Sequence, residues 1–398
     1  MAQANSCFFS RGTKGTAGSG SSRIDGDGDG DMNGSMLNEI SIQNFKCFER
    51  ISLPLKNINI LAGINGMGKS AIIQGLLLLR QSYLKDKMMR GLYLNGKYVQ
   101  LGNAQDVLFE KAETEKISFG YISNQESHLF EYQYIPESDF LPADNKEIGV
   151  PTGAIFGNQF VYLSSYRIEP KALYSITNEE EISNREFGNN GEYAIQYLSL
   201  FGDKNVANPE VIIEDKLGCT LINQTRVWLD RISPGVSPKV MLNTQLRTTE
   251  LRYEFIEGKV KTNSYKSVNV GFGITYVLPL IVAILSAKEG DIIILENPEA
   301  HIHPAGQRML GELIARAGQG GVQVIVETHS DHILNGVRLA VKQKKIAKEN
   351  VQLAFFYKDD SDNYRHKYAN PVILEDGRLD IWPEGFFDEW DKALYELM

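Results

Sequence analysis

Eight residues, Gly63-Ile-Asn-Gly-Met-Gly-Lys-Ser70, follow the spacing G-x-x-x-x-G-K-[ST] without a departure. That spacing is suited to holding phosphate. Gly63, Gly66 and Gly68, with Asn65 among them, let main-chain amides close around phosphate oxygens. A helix opening near Lys69 would aim its positive end at the same oxygens. Lys69 would then reach the β- and γ-phosphates of ATP, and the Ser70 hydroxyl would ligate Mg2+.

A second set of chemical groups lies more than 200 residues on. Ile292-Ile-Ile-Leu-Glu296 reads as a buried strand ending in a carboxylate that can face the metal. The next run ends in Glu327-Thr-His329-Ser330, where His329 could sense the γ-phosphate or simply cap a strand. Asn269-Val-Gly271-Phe-Gly273 precedes an apolar helix and could form a second anion site. His301 and His303 with Glu299 have the residue types of a metal cluster, but a stable zinc site needs more well-placed ligands. Gln100 and Gln105 are candidates for a magnesium-contacting glutamine. Lys342, Lys344, Lys345 and Lys348 read as a solvated helix end, with DNA contact as the alternative.

These groups need elements to position them. Strands are expected at 39–45, 51–55, 58–61 and 98–101, and a helix with a long apolar face at 69–83. Residues 109–268 are the least regular, with strand-like pieces at 116–122, 130–134, 159–163 and 251–257 and helices at 193–201 and 220–232. The C-terminal third alternates: helices at 274–287, 305–317 and 331–345 precede strands at 291–295, 322–326 and 351–356. That alternation predicts a largely parallel sheet covered on both faces.

Composition sets the bounds. The chain has 398 residues, 42% hydrophobic and 23% charged, enough for one large or two ordinary domains. Its net charge of −9 does not mark a nucleic-acid binder. Cys7, Cys47 and Cys219 are too few and too scattered for a disulfide framework, so a reducing, cytoplasmic setting is expected. No apolar run has the length of a membrane span, so no membrane partner is expected. Residues 1–35 are rich in Gly, Ser and Asp and read as a disordered leader or a cloning-derived extension. Their aspartate run from Asp25 to Asp31 is not a calcium loop, because the twelfth position is Met36 rather than Glu.

Ile42-x-Asn44-Phe45-Lys46-x-Phe48, the Gly63-to-Ser70 loop and the carboxylate strand resemble the ABC-type ATPase heads of the SMC, RecF and overcoming-lysogenization-defect proteins. Four further blocks are similar to bacterial AAA-family ATPases that carry a short C-terminal domain of unknown function: Gly-Phe-Gly from Gly271, Glu-Asn-Pro-Glu-Ala-His-Ile-His-Pro from Glu296, Glu-Thr-His-Ser from Glu327 and Trp-Pro-Glu-Gly-Phe-Phe-Asp from Trp382. The resemblance covers about residues 36–398. It implies an α/β P-loop NTPase, an ABC-type head with a mixed sheet core and an inserted second lobe. The first ATPase part would span 36–108, the inserted lobe 109–268, the signature-to-switch part 269–357 and the C-terminal segment 358–398. It makes residues 63–70 the Walker A loop, Glu296 the Walker B acid, Gly271 and Gly273 a degenerate signature, 300–304 the D-loop and His329 the switch histidine. It further implies a head-to-tail homodimer, or higher oligomer, around two ATP molecules, slowly hydrolysing and controlling an effector protein such as a nuclease in bacterial anti-phage defence or DNA maintenance. The alternative is a nuclease of the overcoming-lysogenization-defect kind that acts on DNA directly. One residue departs from the wider ABC pattern: Asn297 stands where a glutamate usually polarises the attacking water. An amide orients water but cannot take its proton, which leaves Glu299 as the substitute base, or slow turnover.

Overall fold

Short runs of Val, Ile and Leu separated by helices bury both faces only as a parallel sheet, and the C-terminal third forms one. The computed structural model describes residues 36–144, 150–213, 216–257, 260–359, 361–362 and 365–398. The leader and its aspartate run lie outside the described residues.

The chain opens with β1 (Leu37–Phe45) and β2 (Phe48–Pro54), and β3 (Ile58–Gly63) then runs into the phosphate loop ahead of α1 (Lys69–Lys85). Next come β4 (Gly91–Tyr93), the one-turn α2 (Ala104–Val107), β5 (Lys116–Ser123), β6 (Glu126–Gln133), β7 (Phe140–Pro142) and β8 (Phe160–Leu163). The middle holds β9 (Tyr174–Ser175), α3 (Glu179–Ser183), α4 (Ala194–Phe201), α5 (Leu221–Ile232), β10 (Val236–Asn243), β11 (Thr248–Glu257), β12 (Val260–Lys261) and β13 (Tyr265–Lys266). The last third runs α6 (Phe272–Ser286), β14 (Ile292–Glu296), α7 (Pro304–Gln319), β15 (Gln323–Glu327), α8 (Asp331–Lys342), β16 (Val351–Asp359), β17 (Arg365–Ala369) and α9 (Glu389–Leu397).

The central sheet has the order β17-β16-β3-β15-β14-β8 and is parallel except for its edge strand β17. Its two faces feed two cores. Ile292, Ile294 and Ile325 point into a core shared with α1 and the antiparallel sheet β2-β1-β5-β6. Ile293, Leu295, Val324 and Val326 point the other way, against residues of α4 to α8. The period of two along each strand makes this division. Helix α6 is apolar on every side because it is buried, not because it spans a bilayer; no helix among the described residues is long and apolar enough to cross a membrane.

Segment 109–268 is woven into the rest. Strands β5 and β6 complete the first antiparallel sheet and β8 is an edge of the central one, while β9 to β13 pair among themselves. The strand expected at 98–101 is reduced to a single bridge between Asn95 and Gln100. The side-chain oxygen of Gln81 accepts the N–H groups of Tyr98 and Val99, at 3.3 and 3.1 Å, in place of a neighbouring strand.

Candidate nucleotide site

Strand β3 is buried almost to its end, so the loop after it emerges at the C-terminal edge of the sheet. Gly68 sits at φ 107°, and a Cβ there would meet the Phe48 ring at 2.4 Å. Any larger residue would have to displace Phe48 and Cys47 or shift the loop. That helix has no side-chain N-cap and no acid in its first turn, so its first amides are available to an anion. Ile64, Asn65 and Gly66 are exposed around the opening. The Lys69 ammonium donates to the carbonyls of Gly63 and Ile64, at 2.8 and 2.9 Å. Burial lowers its pKa, and the charges of Glu327 and Glu299 partly restore it. The Ser70 hydroxyl donates to Glu327 Oε1 at 2.8 Å.

Parallel register puts Glu296 of β14 beside Glu327 of β15. Glu296 leans toward β8, accepting from the Tyr162 hydroxyl at 3.2 Å and the Ser165 N–H at 3.3 Å. Burial raises its pKa against those two hydrogen bonds. Glu327 is more deeply committed. It is buried, one oxygen takes the Ser70 hydroxyl, and Oε2 has no hydrogen-bond partner among the described residues. Burial, reinforced by the charges of Glu296 and Glu299, pushes its carboxyl up to about 7 against the Ser70 hydrogen bond and Lys69.

The turn after β14 is bent sharply. Asn297 and His301 both adopt left-handed backbone, at φ 45° and 61°. The Asn297 N–H donates to the Glu327 carbonyl at 2.8 Å. The buried Arg167 guanidinium clamps the carbonyls of Glu296 and Asn297, at 2.7 and 2.8 Å, and lies 4.9 Å from the Tyr276 ring. Its burial brings its pKa down to about 10. The bend returns Glu299 to β15, where its two oxygens accept from the Thr328 hydroxyl at 2.7 Å and the His329 N–H at 2.8 Å. His329 is exposed at the strand tip; partial burial and Lys69 lower its pKa, against Glu299.

His301 and His303 do not join Glu299 around a metal. The His301 ring packs on Phe272 and Tyr276 of α6, at 4.9 and 5.0 Å between centroids, and His303 Nδ1 caps α7 by accepting the Ala305 N–H. Among the described residues no three His, Cys, Asp or Glu side chains are grouped as a metal cluster. A magnesium ion asks for less: one or two carboxylates, a hydroxyl, and phosphate and water oxygens. Ser70, Glu327 and Glu296 offer an all-oxygen set, and the partnerless Glu327 Oε2 beside Ser70 is an acceptor in need of a cation or a proton.

Gly273 is fixed by contact: a Cβ there would stand 2.0 Å from the His301 carbonyl. Gly271 faces open space and Phe272 is 41% exposed, so the start of α6 is presented at the surface. Gln100 and Gln105 lie in the segment after Tyr98, whose ring packs on Tyr162 at 6.1 Å. In the basic run, Lys345 is paired with Glu312 at 2.7 Å, and Lys348 with Glu375 at 3.6 Å. At the other side of the loop, the C-terminal segment closes a cavity of about 290 Å³ lined by Gly63, Ile64, His329, Phe386, Phe387 and Asp388. Sequence reading passed over Glu327, Tyr162 and Arg167. Glu327 carried a signal, an acid closing the apolar run before His329; Arg167 carried none.

Three family models match in order: "AAA ATPase domain" over residues 36–217, "AAA domain, putative AbiEii toxin, Type IV TA system" over 237–335, and "Protein of unknown function (DUF3696)" over 346–397. The chain therefore carries AAA-family ATPase segments followed by that C-terminal domain, and is an ATP-hydrolysing P-loop enzyme. Among solved structures it is similar to a Pyrococcus furiosus Smc head domain with an extended coiled coil, bound to the C-terminal domain of ScpA, at 12% identity and TM-score 0.50, covering 91% of this chain and 99% of that one. A SmcHead bound to the C-winged helix domain of ScpA (14% identity, TM-score 0.49, 85% and 98% covered) and the Thermotoga maritima SMC head domain (11%, 0.43, 84% and 98%) also match. The Pyrococcus likeness shows the fold, the ABC-type ATPase head. None of the curated proteins matches.

Proposed function

We propose that this ATPase is a nucleotide switch in which two copies close head to tail around two ATP molecules and, while closed, control a partner effector. The observation that carries the reading is a continuous line of contacts between the exposed start of α6 and the phosphate loop. Gly273 and Phe272 touch His301, the bend from His301 returns Glu299 to His329, and Glu327 at the same strand tip holds Ser70. A copy pressing on α6 would thus be felt at the other end of the line. Gly271 and the helix amides behind it would cap the γ-phosphate held by the partner copy's loop, an arrangement suited to a helix N-terminus. Ile64, 63% exposed on the loop, would lie in the same interface.

Bound magnesium would supply charge neutralisation at the β- and γ-phosphates. Lys69, Ser70 and the main-chain amides orient the triphosphate, and His329 offers a hydrogen bond to its terminal oxygens. Asn297 cannot take a proton, so the ATP-bound state persists, as a switch requires. The C-terminal segment at Phe386 and Asp388 reaches the loop cavity and supports a role in passing the nucleotide state outward. The effector reading, in anti-phage defence or DNA maintenance, is supported by the family resemblance and by the toxin name borne by one matching model.

Light scattering with a saturating non-hydrolysable ATP analogue tests the first half: the chain doubles in mass, and Lys69→Ala does not. A wild type that stays monomeric sinks the proposal. Purification from its native host tests the second half; a chain that brings down no partner and cuts DNA alone with magnesium is a nuclease instead.

A further inference from the structure

We propose that Glu327, rather than Glu296 alone, supplies the protein carboxylate that directly meets the catalytic divalent cation beside Ser70. The inference rests on the ATPase assignment but not on dimerisation. Three carboxylates lie near the loop, and their existing partners separate them. Both oxygens of Glu299 are taken, by the Thr328 hydroxyl and the His329 amide. Glu296 is turned one strand away, toward Tyr162 and Ser165 at the tip of β8. Glu327 alone already touches the hydroxyl that would bind the cation, at 2.8 Å, and its second oxygen is buried with no partner.

Strand order explains why. In the sequence β3-β15-β14, the strand adjacent to the phosphate loop is β15, and β14 lies one strand further out. Neighbouring strands are about 4.8 Å apart, so an acid on β14 must cross the tip of β15 to reach Ser70, whereas an acid on β15 need not. A buried carboxylate oxygen left without a partner is costly, and a small hard cation bridging the carboxylate to Ser70 removes that cost. Glu296, kept in place by Tyr162, would then be left to meet the ion through water.

The test is cation affinity, not turnover. Mn2+ replaces Mg2+, and its binding to the full-length chain saturated with a non-hydrolysable ATP analogue is followed by electron paramagnetic resonance. Glu327→Gln is expected to weaken Mn2+ binding by at least about tenfold, the scale on which even supporting residues of metal sites act. Glu327→Asp recovers part of it, and Glu296→Gln weakens it less than Glu327→Gln. Circular dichroism melts confirm that each variant is folded, and analogue affinity in EDTA, lost in Lys69→Ala, reports separately whether the loop binds nucleotide at all. Unchanged Mn2+ affinity in Glu327→Gln, or a larger loss in Glu296→Gln, overturns the assignment.

Discussion

Replacing Glu299 separates two roles that the sequence leaves open, a proton acceptor and a brace for the switch loop. In the structure the side chain braces. It accepts hydrogen bonds from the Thr328 hydroxyl and the His329 N–H, at 2.7 and 2.8 Å. A hydrogen bond to a charged group contributes about 1.5 to 3 kcal/mol. Glu299→Gln keeps one acceptor oxygen for the amide and can donate its NH2 to the Thr328 hydroxyl oxygen in a reversed hydrogen bond, so it forfeits only the charge, about 1 kcal/mol or roughly fivefold. Glu299→Ala loses both bonds and leaves the His329 amide unpaired, about 3 kcal/mol, or on the order of a hundredfold in the fraction of loops correctly placed. A general base behaves otherwise: either change removes the proton acceptor, and each would cost about 100- to 10,000-fold alike. Steady-state phosphate release at saturating magnesium ATP, with bound nucleotide counted in parallel, distinguishes the two. The brace predicts graded loss, Gln mild and Ala severe. A Gln variant that falls as far as the Ala variant, by more than about a hundredfold, would refute the reasoning and return the base to Glu299.

Arg167→Met should destabilise the protein by about 1 to 3 kcal/mol, because the Glu296 and Asn297 carbonyls lose the guanidinium and the Asn297 carbonyl keeps only the Ala300 N–H; thermal melts of the nucleotide-free chain check this. Gly273→Ala should leave ATP binding by the monomer intact but abolish analogue-induced doubling of mass, since the new methyl would collide with the His301 carbonyl 2.0 Å away; a dimer of wild-type strength counts against the line of contacts. Glu312 joins Arg231 of α5, Arg316 of α7 and Lys345 beyond α8. Burial alone would raise its pKa, but the Lys345 and Arg316 hydrogen bonds and the Arg231 and Lys345 charges outweigh it and hold the carboxyl below the usual range. A depressed folded pKa means stability that is present above the unfolded value and is lost as pH falls through the folded one. Glu312→Gln should therefore cost about 1 to 3 kcal/mol at pH 7, and the gap to wild type should close as pH drops below the ordinary glutamate range, followed by urea unfolding.

The sequence exposed the parts of this molecule that depend on local rules. The phosphate loop has a fixed spacing, and the helices and strands after residue 270 have long apolar runs with clear ends, so their positions were legible to within a few residues. What could not be read depends on pairing across the chain. Strand β8 looks like any short apolar piece until it lies beside β14, and β5 does until it pairs with β1. Arg167 has no motif around it; its role exists only because the turn after Glu296 leaves two carbonyls facing inward. Glu327 was visible as a letter but not as a ligand, since only the strand order puts it next to Ser70.

The turn after β14 also stores strain that the proposed switch could use. Two non-glycine residues, Asn297 and His301, hold left-handed backbone four positions apart. Each such residue costs on the order of 1 to 3 kcal/mol, and persists only where its surroundings dictate the conformation. Here they do so from three sides: Arg167 pins the carbonyls, the Glu327 carbonyl takes the Asn297 amide, and α6 crowds His301 at Gly273. Remove any one and the strain has somewhere to relax. A bend held by three separate supports is a poor structural brace but a good sensor, because a shift of α6 as small as the clearance at Gly273 must move His301. Glu299, two residues before it on the same bend, then carries His329 with it. In the proposed switch the missing glutamate at Asn297 would be no defect: the bend would report closure whether or not water is attacked quickly, and slow hydrolysis would lengthen the report.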